Sequence, residues 1–317
     1  MPEAYSLRPT AFFLVGATAS GKSGVAQTIA EREGQLIVSA DSMNLYRGMD
    51  IGTAKPTSND RKTVVYAGID LAEPTEKFSV ANYLEAVRPA FASGRDIIVA
   101  GGTGLYIKCL TEGFDDVPPE NPELRAELEQ LDFQTLEERA QTSELYGTLT
   151  SDDRKNPRRL VRILEKACGG SAASPTGRGG LHPSSSWNTS PKPTLIGLRV
   201  EREELCRRIE QRVEHMYASG LLDEARRLIK LDLSATALQA IGYAEAFAVL
   251  KNEMTLAAAR EQTVIRTRQL AKRQMTWFRN QLNVEWIDVA EFQSVGNLAT
   301  AVSSAWKKTG ATPVVFD

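Results

Sequence analysis

The chain is poor in cysteine and has no C-x-x-C pair. Its three cysteines, Cys109, Cys168 and Cys206, are odd in number and widely spaced across 317 residues. That excludes a paired-cysteine zinc site or redox motif and predicts a reducing, cytoplasmic home. No run approaches the roughly 20 consecutive apolar residues of a membrane span, and no charged segment followed by an apolar stretch and cleavage site opens the chain, so no membrane association is expected. Neither sign of charge dominates: 38 Lys and Arg face 40 Asp and Glu, a net −2. Any contact with a polyanion must therefore come from local basic clusters rather than a global field. Internal repeats are absent, and nothing demands more than a monomer.

What remains is ordinary globular material, 42% hydrophobic and 25% charged, long enough for a core plus an insertion. Residues 11–15 form a short apolar run that ends in a glycine-rich turn, and residues 24–33 carry helical spacing. Further buried strands are predicted at 36–39 and 97–100, with a helix over 80–91 between them. Such alternation favours a parallel sheet covered by helices. From Phe114 the texture changes, with Asp115, Asp116, Pro118, Pro119 and Pro122 before amphipathic patterns at 123–131, 135–141 and 158–167. The expected organisation is a core over 1–113, a helical insertion over 114–192 and a return to the core over 193–317. Residues 169–193, rich in Gly, Ser and Pro, predict a mobile loop or hinge. Strand character returns at 194–198 and helices are predicted at 203–218, 221–231 and 255–279, then a strand at 284–288 and a helix at 295–308.

Gly16, Ala17, Thr18, Ala19, Ser20, Gly21, Lys22 and Ser23 fit G-x-x-x-x-G-K-[ST] between a predicted strand and helix. Successive N–H groups there can cradle phosphate, Lys22 can neutralise it, and Ser23 can reach a Mg²⁺ ion. A nucleotide kinase, an ATPase and a transferase using a pyrophosphate ester all remain open. The strand at 97–100 runs into Gly101-Gly102-Thr103-Gly104 rather than an acidic residue, which weakens the ATPase reading, because a hydroxyl cannot replace the metal-binding carboxylate.

Asp41, after the second strand, is a candidate base or equally a cap on the following turn. The GGTG segment reads first as a tight turn before a helix over 105–110. Basic residues cluster twice: Arg158, Arg159 and Arg162 share one helix, and Arg266, Arg268, Lys272, Arg273 and Arg279 fall in a stretch from 262 to 284 without Asp or Glu. One such run reads as a solvated face; two, with Trp277 nearby, turn the balance towards RNA. Trp277 and Phe278 read first as core anchors.

Taken together, GATASGKS at 16–23, SADSMNLYRGMDIGTAKP at 39–56, GGTGLYIK at 101–108 and TRQLAKRQMTWFR at 267–279 resemble the tRNA dimethylallyltransferases, also called tRNA isopentenyltransferases. The resemblance implies an α/β P-loop NTPase-like core whose cradle holds the pyrophosphate of dimethylallyl diphosphate, not ATP, and an inserted helical domain that grips the anticodon stem-loop of tRNA. It implies a transferase acting on N6 of the adenosine 3′ of the anticodon, reached by turning that base into a channel. By the same resemblance Asp41 is the general base, Thr103 helps place the adenosine, and Lys22, Arg212 and a Mg²⁺ ion near Ser23 steady the pyrophosphate. Contacts to tRNA are implied for Asp41, Ser42, Met43, Asn44 and Thr103, and for Arg125, Arg158, Arg159, Leu160, Val161 and Arg162. They are implied too for Gln239, Ala240, Ile241, Gly242, Tyr243 and Ala244, and for Lys272, Arg273, Gln274, Met275, Thr276, Trp277, Phe278 and Arg279.

Three positions depart from the family pattern. Asn44 stands where many relatives have Gln, Ala244 replaces a commonly basic residue, and Ser23 replaces the more frequent Thr while keeping the hydroxyl. The zinc-finger extension of many eukaryotic relatives is absent, pointing to the bacterial type. An adenylate dimethylallyltransferase shares this donor chemistry but lacks a comparable insertion. A small-molecule kinase leaves GGTG and the basic helix unexplained, and a non-catalytic RNA-binding protein does not need the phosphate loop beside Asp41.

Overall fold

A computed structural model describes residues 9–113, 121–169 and 192–316. The chain divides into two compact units, Met1–Phe114 with Pro191–Asp317, and Asp115–Ser190.

The larger unit is built on seven strands: β1 Thr10–Gly16, β2 Leu36–Ala40, β3 Tyr66–Ala67, β4 Ile97–Gly101, β5 Thr194–Arg199, β6 Asn283–Asp288 and β7 Thr312–Pro313. Six are parallel, in the order β3-β2-β4-β1-β5-β6, and β7 pairs antiparallel with the start of β1. The α/β class expected from the sequence is the one observed. Its central strands are apolar nearly throughout because both faces are covered. Side chains alternate between two cores, as strand geometry requires: Phe13, Val15, Val38 and Val99 enter one, while Leu14, Ile37 and Ile98 enter the other. The first core is closed by helices that include Gly104–Glu112, Arg202–Ala218, Leu221–Leu228, Tyr243–Leu250 and Leu256–Gln281. The second is closed by Lys22–Glu33 and Val295–Thr309, where buried Trp306 donates from Nε1 to the Phe13 carbonyl at 3.1 Å.

Two differences from the sequence expectation matter for the site. The first helix begins at Lys22, two residues before the expected start, so Lys22 and Ser23 already belong to its first turn. The helix Tyr243–Leu250 has no counterpart among the predicted elements, since YAEAFAVL is apolar on most sides and offers no 3.6-residue stripe. The long helix Leu256–Gln281, capped by Thr255, buries Ala259, Thr263, Thr267 and Ala271 at four-residue spacing. This row of small side chains lets neighbouring elements approach closely.

The smaller unit holds helices Pro122–Glu129, Phe133–Gln141, Ser151–Arg154 and Pro157–Gly169. They enclose Leu128, Leu136, Ala140, Leu160, Val161, Ile163 and Leu164. Asn121 and Asp132 cap the first two by accepting from backbone N–H groups of the first turn. The loop predicted over 169–193 lies, for residues 170–191, outside the described residues.

Candidate functional site

All parallel strands end on the same edge, so the segments after β1, β2 and β4 are neighbours there, the ligand-binding edge of a doubly wound sheet. After β1 the phosphate loop turns sharply. Ala19 has φ 63° and Gly21 has φ 90°, both in the left-handed region, and Ser20 N–H returns to the Ala17 carbonyl at 3.2 Å. Reversals of this kind turn successive N–H groups towards one centre, a nest for an anion at the helix N-terminus. The Ser20 hydroxyl is buried and has no hydrogen-bond partner among the described residues.

Lys22 Nζ is buried and donates to the loop's own Ala17 carbonyl at 3.2 Å. Burial pulls its pKa down to about 8; Asp41 opposes that shift and Arg212 adds to it. Arg212, on the Arg202–Ala218 helix, is also lowered by burial and raised by Asp41. It donates to the Thr53 carbonyl at 3.2 Å. One acid and two cations therefore share one cleft, which Ser39, Asn44 and Thr53 also line. Arg208, one helical turn before Arg212, is absent from the residues picked out by sequence, yet its Nη1 comes within 3.8 Å of where a Cβ on Gly21 would sit. Nothing in an exposed-looking Glu-Arg-rich helix distinguishes it.

After β2, Asp41 Oδ1 accepts from the Met43 N–H at 2.9 Å, so the capping role weighed from the sequence is real. It occupies one oxygen only. Thr103 spans two motifs: its N–H reaches the Ala40 carbonyl at 3.0 Å, and its Oγ1 accepts from the Ser42 N–H at 2.9 Å. Thr103 thus fixes the end of β2 against the end of β4. Asn44 Nδ2 donates to Ser39 Oγ at 3.3 Å, and its Oδ1 is buried with no partner among the described residues.

The GGTG glycines are not merely turn residues. A Cβ on Gly104 would meet Trp277 Cε3 at 2.1 Å, and one on Gly102 would meet Gln274 Nε2 at 2.4 Å. Both partners lie on the Leu256–Gln281 helix, which packs directly on the loop. Gln274 accepts from the Thr18 N–H and donates to the Gly102 carbonyl, joining the phosphate loop to GGTG.

The IPP transferase family model matches residues 44–281, and an isopentenyl transferase model matches residues 9–68. The chain belongs to the IPP transferase family. A tRNA dimethylallyltransferase of Geobacter metallireducens is 40% identical over 299 residues, covering 88% of this chain and 93% of its own. One from Streptococcus pyogenes is 36% identical over 281 residues, 86% and 89% of the two chains. The tRNA isopentenylpyrophosphate transferase of Bacillus halodurans superimposes with a TM-score of 0.66 at 30% identity, over 95% of this chain and 98% of that one. A eukaryotic dimethylallyltransferase acting on tRNA, 21% identical, shares the fold with a TM-score of 0.70 over 95% and 76% of the two chains.

In this IPP transferase the remaining predicted positions divide between surface and interior. Lys272, Arg273, Thr276 and Arg279 are exposed, Met275 and Trp277 are half-buried, and Phe278 is a core residue. Gln239 is exposed, its carbonyl taken by Arg266 at 2.8 Å; Ile241 and Ala244 are half-buried; Ala240, Gly242 and Tyr243 are interior. In the smaller unit Arg158 and Arg159 are exposed, whereas the Leu160 and Val161 side chains fill that unit's core, 0% and 4% exposed. The apolar side chains at those two positions pack in that core. No helix among the described residues is long and apolar enough to cross a membrane.

Proposed function

We propose that the chain transfers a dimethylallyl group from dimethylallyl diphosphate to N6 of the adenosine 3′-adjacent to the anticodon in tRNA, releasing diphosphate. What carries this reading is the meeting of Asp41 with Lys22 and Arg212 beside an anion nest. A proton acceptor and leaving-group cations are the two things this substitution needs. The exocyclic amine attacks the allylic carbon as the carbon–oxygen bond to diphosphate breaks, and Asp41 takes the amine proton. Lys22, Arg212 and the loop N–H groups hold the charge that collects on the diphosphate. Thr103 steadies the loop on which Asp41 stands and aligns the adenosine. Exposed Lys272, Arg273, Arg279, Arg158 and Arg159 take the phosphates of the tRNA.

Among the described residues no cluster of three or more His, Cys, Asp or Glu could cage a metal ion. Mg²⁺ does not require such a cage, since in phosphate-loop proteins it is held by the loop's Ser or Thr hydroxyl together with substrate phosphates and water. The exposed Ser23 hydroxyl, in the first helical turn, is the ligand offered here. Bound there, the ion would supply further charge neutralisation for the diphosphate.

The test is incubation of the full chain with dimethylallyl diphosphate, Mg²⁺ and unmodified tRNA, followed by nuclease mapping of any mass gain. A gain at the adenosine 3′ of the anticodon supports the proposal. Transfer to AMP without transfer to tRNA would replace it with the free-nucleotide reading.

A further inference from the structure

Glu224 is a buried carboxylate that the reaction above does not use. It lies with Leu221, Ala225 and Leu228 on the inner face of the Leu221–Leu228 helix and is 3% exposed. Its carboxylate is held by hydrogen-bond donors: Oε1 accepts from the Asp50 N–H at 3.1 Å, from the Ile51 N–H at 3.0 Å and from the Tyr243 hydroxyl. A charge withdrawn from water is costly unless donors are fixed around it, so what it holds is worth following.

It holds one loop. The Tyr243 hydroxyl also accepts from the Gly52 N–H at 3.1 Å. The Tyr243 ring lies so close that a Cβ on Gly52 would sit 2.3 Å from Cε2. The far end of the loop is pinned by Lys55, whose Nζ reaches the Tyr46 carbonyl at 2.6 Å and Asp50 and Asp70 at 2.7 Å each. Between these pins stands Thr53, whose carbonyl receives Arg212, and Thr53 and Ala54 face the cleft that holds Lys22 and Asp41.

We propose that Glu224 and Tyr243 are positioning residues for the diphosphate end of the site, holding residues 50–53 so that the Thr53 carbonyl aims Arg212 at the leaving group. This rests on the transferase reading for its substrate, and it gives Tyr243 an interior task in place of a contact with tRNA. Removing the Tyr243 hydroxyl strands the Gly52 N–H and takes one donor from Glu224, yet the ring still fills its space. The loop loosens, Arg212 loses its fixed acceptor, and diphosphate binding weakens while the tRNA surface is untouched.

The experiment compares the full chain with Tyr243→Phe, Glu224→Gln and Arg212→Ala. It measures Kd for inorganic diphosphate, KM and kcat for dimethylallyl diphosphate, Kd for tRNA, and thermal melting. Tyr243→Phe is expected to weaken diphosphate about fivefold to tenfold and raise KM alike, with tRNA affinity unchanged within about twofold. In the Arg212→Ala background it adds nothing further, because both changes remove the same interaction. If Tyr243→Phe does not fold, Glu224→Gln, which keeps the side chain's size and one acceptor oxygen while weakening its hold on the Asp50 and Ile51 N–H groups, carries the same expectations. Unchanged diphosphate affinity in a folded variant, a loss confined to tRNA binding, or effects that multiply with Arg212→Ala would overturn the proposal. Wild-type protein that binds diphosphate but transfers nothing to tRNA would sink the transferase reading and leave the diphosphate measurements to judge this one.

Discussion

Gln274 Oε1 accepts the Thr18 N–H at 2.8 Å, while its Nε2 donates to the Gly102 carbonyl at 3.1 Å. A residue in the basic helix thereby sets the spacing between the phosphate loop and GGTG. Gln274→Ala abandons both bonds, and at about 1 kcal/mol each the expected loss in kcat/KM for dimethylallyl diphosphate is about tenfold to thirtyfold. Gln274→Glu keeps the acceptor for Thr18 but turns an anion towards the Gly102 carbonyl and the anion nest, so its loss should be larger. Affinity for tRNA should hardly move in either variant. Steady-state kinetics beside filter binding separates this from a direct contact with tRNA, which would show the reverse pattern.

In the proposed reaction Asp41 has two tasks that one substitution can separate. Its Oδ1 caps the Met43 N–H at 2.9 Å, and Asn retains an oxygen for that bond while losing the ability to take a proton. Asp41→Asn should therefore melt close to wild type and bind both substrates, yet slow single-turnover transfer by roughly 10²–10⁴-fold, the usual weight of a general base. A normal single-turnover rate would return Asp41 to the role of a cap.

Lys22 gives the free enzyme a pH signature. Burial holds its pKa at about 8, against an ordinary value of 10.5. In the proposed reaction the charged form faces the leaving diphosphate, so kcat/KM for dimethylallyl diphosphate should fall as pH rises through about 8. The sign for stability is opposite. Between the folded value and the unfolded one the unfolded chain binds more protons, so this group's contribution to stability grows as pH rises from about 8 to 10.5. Lys22→Met should abolish the kinetic inflection, and a profile that keeps its fall near pH 8 in that variant would assign the inflection to another group.

Five of the seven strands are legible in the sequence as short runs of strand-forming residues, whereas Tyr66–Ala67 and Thr312–Pro313, two residues each, are too short to carry a pattern; the phosphate loop is legible because its residue types are fixed by what a phosphate needs. Asp41 and Thr103 stand out only by their place at strand ends. Gln274 looks like one more polar residue of a basic helix, since a bond across 256 residues leaves no trace in local pattern. Glu224 does leave one: in Leu221, Glu224, Ala225, Leu228 an acid occupies the apolar face at i, i+3, i+4 and i+7. Gly102 and Gly104 read as a turn, whereas their lack of a side chain answers to Gln274 and Trp277 on a distant helix.

In the smaller unit the arginines separate by their partners. Glu165, 4% exposed, is gripped by Arg125 at 2.8 Å and Arg162 at 2.9 Å, and the two guanidiniums are thereby committed to the unit's own packing. Arg158 is exposed, and among the described residues Arg159 pairs loosely with Asp153 at 3.5 Å. Arg125→Ala should then destabilise the protein by about 2 kcal/mol, between the values of exposed and buried pairs, by leaving Glu165 half-compensated. Arg158→Ala should leave melting unchanged and weaken tRNA binding, reducing the slope of log K against log salt by about 0.7–0.9, since one fewer phosphate is neutralised. Binding measured across a salt series, with melting curves alongside, decides the assignment: an equal drop in slope for Arg125→Ala at unchanged stability would mean that its pairing with Glu165 yields to the RNA.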